Sequence, residues 1–150
     1  MSTIPAIITS GYRVASGANN NPRFPGGTLR MQAPLFAALG LNLSAYHLAT
    51  LNLSIAPARY EVVSARLTFR NVKWHPTEPA EDFSFFDCRI VLPGREGEPV
   101  PALIYYPHPE TKPAHFQPDD LLEVLAPFIE GISYGMQILL DVPEDQMRVG

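Results

Sequence analysis

The chain of 150 residues is 46% hydrophobic and 17% charged and holds 16 prolines, which points to one domain with a sizeable core and many turns. Its net charge of -4 is uneven: residues 1–60 carry four arginines and no Asp or Glu, whereas all 15 acids lie in residues 61–150 beside seven basic residues. A pI near 5.5 and only two lysines argue against nucleic-acid binding, and a lone cysteine, Cys88, excludes a disulfide framework and a cysteine-ligated zinc site.

In chain order, Met1 to Ile8 lacks the basic region and long apolar stretch of a secretory signal, which predicts a cytoplasmic protein. Residues Ala6 to Ser16 read as a strand ending at Ser16-Gly17. The stretch Ala18 to Thr28 is a loop of turn-forming residues. It reads either as a long hairpin turn or as a phosphate-binding loop, because Gly17, Gly26 and Gly27 permit close backbone approach and Arg23 and Arg30 supply positive charge. It is not a Walker loop, since no Gly-Lys-Ser/Thr is present.

Met31, Leu35, Phe36 and Leu39 then fall at helical spacing, with Gly40 as the C-terminal cap of a helix of about two turns. Residues 31–58 carry no acidic or basic side chain apart from neutral His47, yet Gly40, Asn42, Ser44, Thr50, Asn52 and Ser54 rule out a membrane span. From Leu48 to Ile55 apolar and polar residues alternate, the clearest strand signal in the chain, which sets Thr50, Asn52 and Ser54 on one face.

Further strands are predicted at about 60–72, 83–92, 100–106 and 136–142, and Cys88 reads as a buried structural thiol within one of them. A second helix is predicted over Pro118 to Pro127, with Asp120 and Glu123 at capping-box spacing and Leu121, Leu122 and Leu125 as its apolar face. Six or seven strands with two short helices predict a mainly β, single-domain protein spanning 1–150. A small closed barrel is the expected form, because closure removes the exposed edges so much strand would create.

Several residues carry candidate chemistry. Thr50 and Asn52 are hard oxygen donors two apart on a strand; they read either as an ordinary polar strand face or as ligands sharing one magnesium ion with substrate phosphates. Glu123 reads either as a helix cap or as a general base accepting a proton from a substrate hydroxyl. His47, His75, His108 and His115 form no HxH or HExxH pattern, which gives a histidine metal site little support. His108, in Tyr105-Tyr106-Pro107-His108-Pro109, belongs to an aromatic turn that either packs under a loop or stacks on a planar ligand. No Ser-His-Asp arrangement is legible from spacing.

Taken in order, Val14-Ala15-Ser16-Gly17, the helix leading to Leu39-Gly40, Tyr46-His47-Leu48-Ala49-Thr50-Leu51-Asn52-Leu53 and His115 through Leu121-Leu122-Glu123-Val124-Leu125-Ala126-Pro127 resemble the archaeal CTP-dependent riboflavin kinases. The short ordered matches span about residues 12–142. The resemblance implies a cradle-loop barrel, with Thr50 and Asn52 as magnesium ligands, Glu123 as the base, and Gly17 in the nucleotide loop; the reading of the loop residues themselves adds Arg23, Gly26, Gly27 and Thr28 as phosphate-cradling candidates. The chain departs from that family at Ala49, where it has glycine, at the missing proline before it, at Asn19-Asn20-Asn21 in the nucleotide loop, and at Phe128-Ile129-Glu130, where a basic residue is absent.

Two functions therefore stand as expectations. One is a phosphotransferase that uses a nucleoside triphosphate and magnesium to phosphorylate a hydroxyl of riboflavin or a similar planar alcohol. The other is a non-catalytic relative of the same barrel that binds a small ligand or serves as an oligomeric structural protein, with neither nucleic acid nor membrane as partner.

Overall fold

A computed structural model describes residues 1–9, 28–111 and 118–150. The predicted loop residues Gly17, Arg23, Gly26 and Gly27, the predicted strand residues 10–16 and His115 lie outside the described residues. The elements are β1 (Ser2–Thr9), α1 (Thr28–Ala38), β2 (Leu51–Ser54), β3 (Tyr60–Val62), β4 (Leu67–Val72), β5 (Glu81–Val91), β6 (Val100–Pro107), β7 (Leu121–Leu125), β8 (Gln137–Val142) and β9 (Met147–Val149). No helix among the described residues is long and apolar enough to cross a membrane.

Six strands pair antiparallel in the circuit β5-β6-β7-β2-β1-β8 and back to β5, closing a barrel. Along every one of them the side-chain period of two divides an inner from an outer face. Ile4, Ala6, Ile8, Leu53, Phe86, Cys88, Ile90, Ile104, Leu122, Val124, Ile138, Leu140 and Val142 all belong to one buried cluster, the barrel interior. A six-stranded barrel is narrow enough for side chains to fill it.

The eleven residues of β5 hold the closure together. One edge of this strand pairs with β4 over Phe85 to Glu81 and, further along, with β8 over Arg89 to Val91. At the gap, Gln146 substitutes for a strand partner: its Oε1 accepts the Asp87 N–H at 2.8 Å while its Nε2 donates to Asp87 Oδ2 at 2.9 Å. The ladder between β4 and β5 is irregular between Phe69 and Val72, where Asn71 takes a left-handed φ of 57° and its N–H donates to Asp82 Oδ1 at 2.8 Å. A separate two-stranded sheet pairs β3 with β9.

Helix α1 covers the outer face of β5 and β6. It buries Leu29, Gln32 and Phe36, three or four residues apart, and Phe36 meets Phe83 at 5.1 Å and Phe85 at 5.2 Å edge to face. Its end is as expected from Gly40: with φ at 106°, the Gly40 N–H donates to the Ala37 carbonyl and the Leu41 N–H to the Phe36 carbonyl, a Schellman cap. The segment with both faces covered, β5, is accordingly apolar on both, with Phe83 and Phe85 outward and Phe86 and Cys88 inward.

One predicted element is corrected. Residues 118–127 do not form a helix; Leu121–Leu125 is strand β7, between β6 and β2. The three leucines satisfy a helical stripe, but Leu122 and Val124 face the barrel interior and Leu125 faces α1, so burial on two sides produced the apolar spacing. Asp120 caps no helix: its carbonyl accepts the Ile55 N–H at 2.8 Å, continuing the pairing with β2. The predicted strand over 60–72 is also two strands, β3 and β4.

Candidate functional site: a polar row on the outer barrel face

The cross-strand register assembles a polar row from four strands. Thr9 of β1 is opposite Asn52 of β2, Asn52 is opposite Glu123 of β7, and Glu123 is opposite Tyr105 of β6. The residues beside them, Leu53, Leu122, Val124 and Ile104, point into the barrel, so this row lies on its outer face. The predicted residues Thr50, Asn52 and Glu123 thus come together: Thr50 Oγ1 donates to Glu123 Oε1 at 3.3 Å, and Asn52 is Glu123's neighbour across the ladder.

The approach to Thr50 is held by backbone bonds. The His47 N–H donates to the Ala126 carbonyl at 2.9 Å, and the Ala49 N–H to the His47 carbonyl at 2.8 Å, tying the lead-in of β2 to the end of β7. Asn52 is buried, and Thr50 and Glu123 are half-buried, so the oxygens are partly removed from bulk water. On the far side of the row, the Tyr105 hydroxyl donates to Gln32 Oε1 of α1 at 2.5 Å. Burial, followed by the proximity of Glu123 and then Glu81, pushes the Tyr105 phenol well above its ordinary 10.0 and keeps it a donor.

Thr28, the remaining predicted binding residue within the described part, is buried at the start of α1, four residues before Gln32 and on the same helical face. Thr9, beside Asn52, and Thr28, one helical turn from the side chain that holds Tyr105, are both described residues of this face. No carboxylate lies on β1, α1 or β2, and Glu123 is the row's single acid.

The oxygens suit a hard cation. One hydroxyl and one amide, with the Glu123 carboxylate beside them, are too few for an all-protein cage, so an ion held there would keep waters or share oxygens with a ligand. Among the described residues, no group of three or more His, Cys, Asp or Glu could hold a metal. Two of the described histidines serve elsewhere: His75 Nδ1 accepts from the backbone N–H groups of Thr77 and Glu78, and His47 packs edge to face on Phe128 at 5.8 Å.

Sequence reading missed Thr9, Gln32 and Tyr105. Only the register and the docking of α1 bring them to the row; Tyr105 alone left a linear trace, as the outward member of an alternating strand. No protein-family model, curated protein or solved structure matches the chain.

Proposed function

We propose that the protein is a phosphotransferase that transfers the terminal phosphoryl group of a nucleoside triphosphate to a hydroxyl of riboflavin or a similar small planar alcohol. The observation that carries this reading is the convergence of Thr50, Asn52 and Glu123 on one half-buried face, with Thr50 Oγ1 only 3.3 Å from the Glu123 carboxylate. The absence of carboxylates on β1, α1 and β2 adds to it, since acids there would repel a triphosphate.

Thr50 and Asn52 would hold magnesium, which when bound neutralises charge on the phosphates. By donating its proton to Glu123, Thr50 leaves its oxygen lone pairs for a cation. Glu123 would accept the proton of the attacking hydroxyl as that oxygen bonds to the terminal phosphorus and the bridging P–O bond breaks. Thr28 and the segment carrying Gly17, Arg23, Gly26 and Gly27 would embrace the phosphates, with the backbone N–H groups and Arg23 as donors. Catalysis would be mainly positioning and charge neutralisation.

A ligand-binding protein without turnover is the second reading, favoured by Ala49. A Cβ stands there next to Thr50, which limits how closely phosphate can approach the backbone. Thermal shifts with CTP, ATP, riboflavin and FMN, with and without magnesium, followed by turnover assays, separate the two. The phosphotransferase reading expects a magnesium-dependent shift, lost in Asn52→Ala, and phosphorylated product. Binding without product selects the second reading, and the absence of any shift with nucleotide or flavin rejects the first.

A further inference from the structure

A second cluster lies on the opposite face of β6 from Tyr105 and Glu123. Ladder β5–β6 pairs Ser84 with Tyr106, and the strand period carries that face on to His108. Thr68 of β4 stands opposite Ser84 on the other side. Ser84 Oγ is 2.6 Å from His108 Nε2, His108 Nδ1 is 3.2 Å from Glu110 Oε1, and Thr68 Oγ1 is 2.8 Å from Ser84 Oγ.

The turn that carries the imidazole is pinned. The His108 N–H donates to the Asp82 carbonyl at 2.9 Å, the Thr111 N–H donates to the His108 carbonyl at 3.1 Å, and the Asp82 N–H donates to Thr111 Oγ1 at 2.9 Å. The Tyr106 ring lies 5.4 Å from the imidazole and limits its rotation.

Hydrogen bonding sets the proton positions. The backbone N–H of Glu110 holds its carboxyl below the ordinary range, with a smaller contribution from His108, so it is ionised at neutral pH. An ionised carboxylate only accepts, so Nδ1 carries a proton, and in the neutral imidazole Nε2 offers its lone pair. Ser84 is then the donor in the 2.6 Å bond and accepts in turn from Thr68. Nucleophile, base and orienting carboxylate in this sequence of contacts are the arrangement that activates a serine, whatever the fold beneath it. Ser84 is 3% exposed and its hydrogen-bonded neighbour Thr68 is exposed, which restricts any substrate of Ser84 to small acyl groups.

We propose that Ser84 is a nucleophile activated by His108 and oriented by Glu110, forming a second catalytic site that hydrolyses small activated carboxylic esters. Ser84 Oγ bonds to the acyl carbon while its proton passes to His108 Nε2. The C–O bond to the alcohol then breaks, and the departing oxygen takes that proton. Water, losing a proton to the same nitrogen, attacks the acyl-serine and releases the carboxylic acid, and the proton returns to Ser84. The Thr68 hydroxyl, 2.8 Å from Ser84 Oγ, is a donor beside the reacting oxygen. Glu110 is a positioning residue.

The test uses the full chain, a fluorophosphonate probe with peptide mapping, and 4-nitrophenyl acetate. A single adduct on Ser84 and nitrophenolate release lost in Ser84→Ala are expected. Labelling should slow by about 100-fold or more in His108→Gln and about 10-fold in Glu110→Gln, with Glu110→Asp recovering most of the rate and melting temperatures recorded for each. Absence of an adduct on Ser84 in the folded protein overturns the proposal. So does a labelling rate unchanged in Glu110→Gln, a substitution at an exposed carboxylate that decides the matter even if His108→Gln folds poorly.

Discussion

Glu123 shows how one side chain changes meaning with its surroundings. Read linearly it caps a helix; in the fold it joins Asn52 and Tyr105 across two ladders and accepts from Thr50. Gln at this position keeps an oxygen for the Thr50 hydroxyl but cannot take a proton. Glu123→Gln should therefore melt like the parent and retain nucleotide binding, while turnover falls by about 100-fold or more if the carboxylate is the base. A turnover number within a factor of a few of the parent would remove Glu123 from that role. Cys88 illustrates the reverse, a reactive residue type made inert: burial first, and the nearby Asp87 second, push its thiol well above its ordinary value. A thiol reagent should find no reactive sulfur in the native protein and one in denaturant.

At the scale of elements, α1 supports the site and also seals a second core. Phe36 is fully buried against Phe83, Phe85 and Phe69. Phe36→Ala should cost about 3–5 kcal/mol in denaturant titration, and by loosening α1 it should release the Gln32 contact to Tyr105. The gap in the β5 edge is a second point of dependence. Gln146→Ala strips the Asp87 N–H and carboxylate of a partner each, and should cost about 1–3 kcal/mol. An unchanged unfolding midpoint would mean that water replaces the amide there at no cost.

For the molecule as a whole, the barrel and the α1 layer on its outer face together place much aromatic surface in low dielectric, and this has a pH signature. Tyr46, Tyr60, Tyr105 and Tyr106 all have phenols raised above the ordinary 10.0, burial being the largest cause for each. Above that value the unfolded chain sheds phenolic protons that the folded chain retains, so unfolding is favoured as pH rises. The tyrosines' contribution is intact below their ordinary value and is lost on the way up to the raised folded values. Denaturation midpoints should thus be level from about pH 7 to 9 and fall above about pH 10; a level profile through that range would contradict buried phenols. Closure also explains why the two proposed sites are separable. They occupy opposite faces of β6, so a side-chain substitution in one does not point into the other.

The amino-acid sequence by itself determined local matters: the period of two in β2, the turn chemistry that divides the strands, the glycine that ends α1, and a barrel as the economical way to use so much strand. It also put Thr50 and Asn52 on one strand face, although β2 begins only at Leu51 and Thr50 reaches the row through its bond to Glu123. Only the tertiary structure decided that Leu121–Leu125 is a strand, since an apolar run buried from two sides has the same composition as a helix stripe. The register likewise set Glu123 beside Asn52 and brought Ser84 to His108, 24 residues apart along the chain. Cross-strand neighbours depend on which strands pair and where, and that choice is made by burial of the whole core rather than by any local segment.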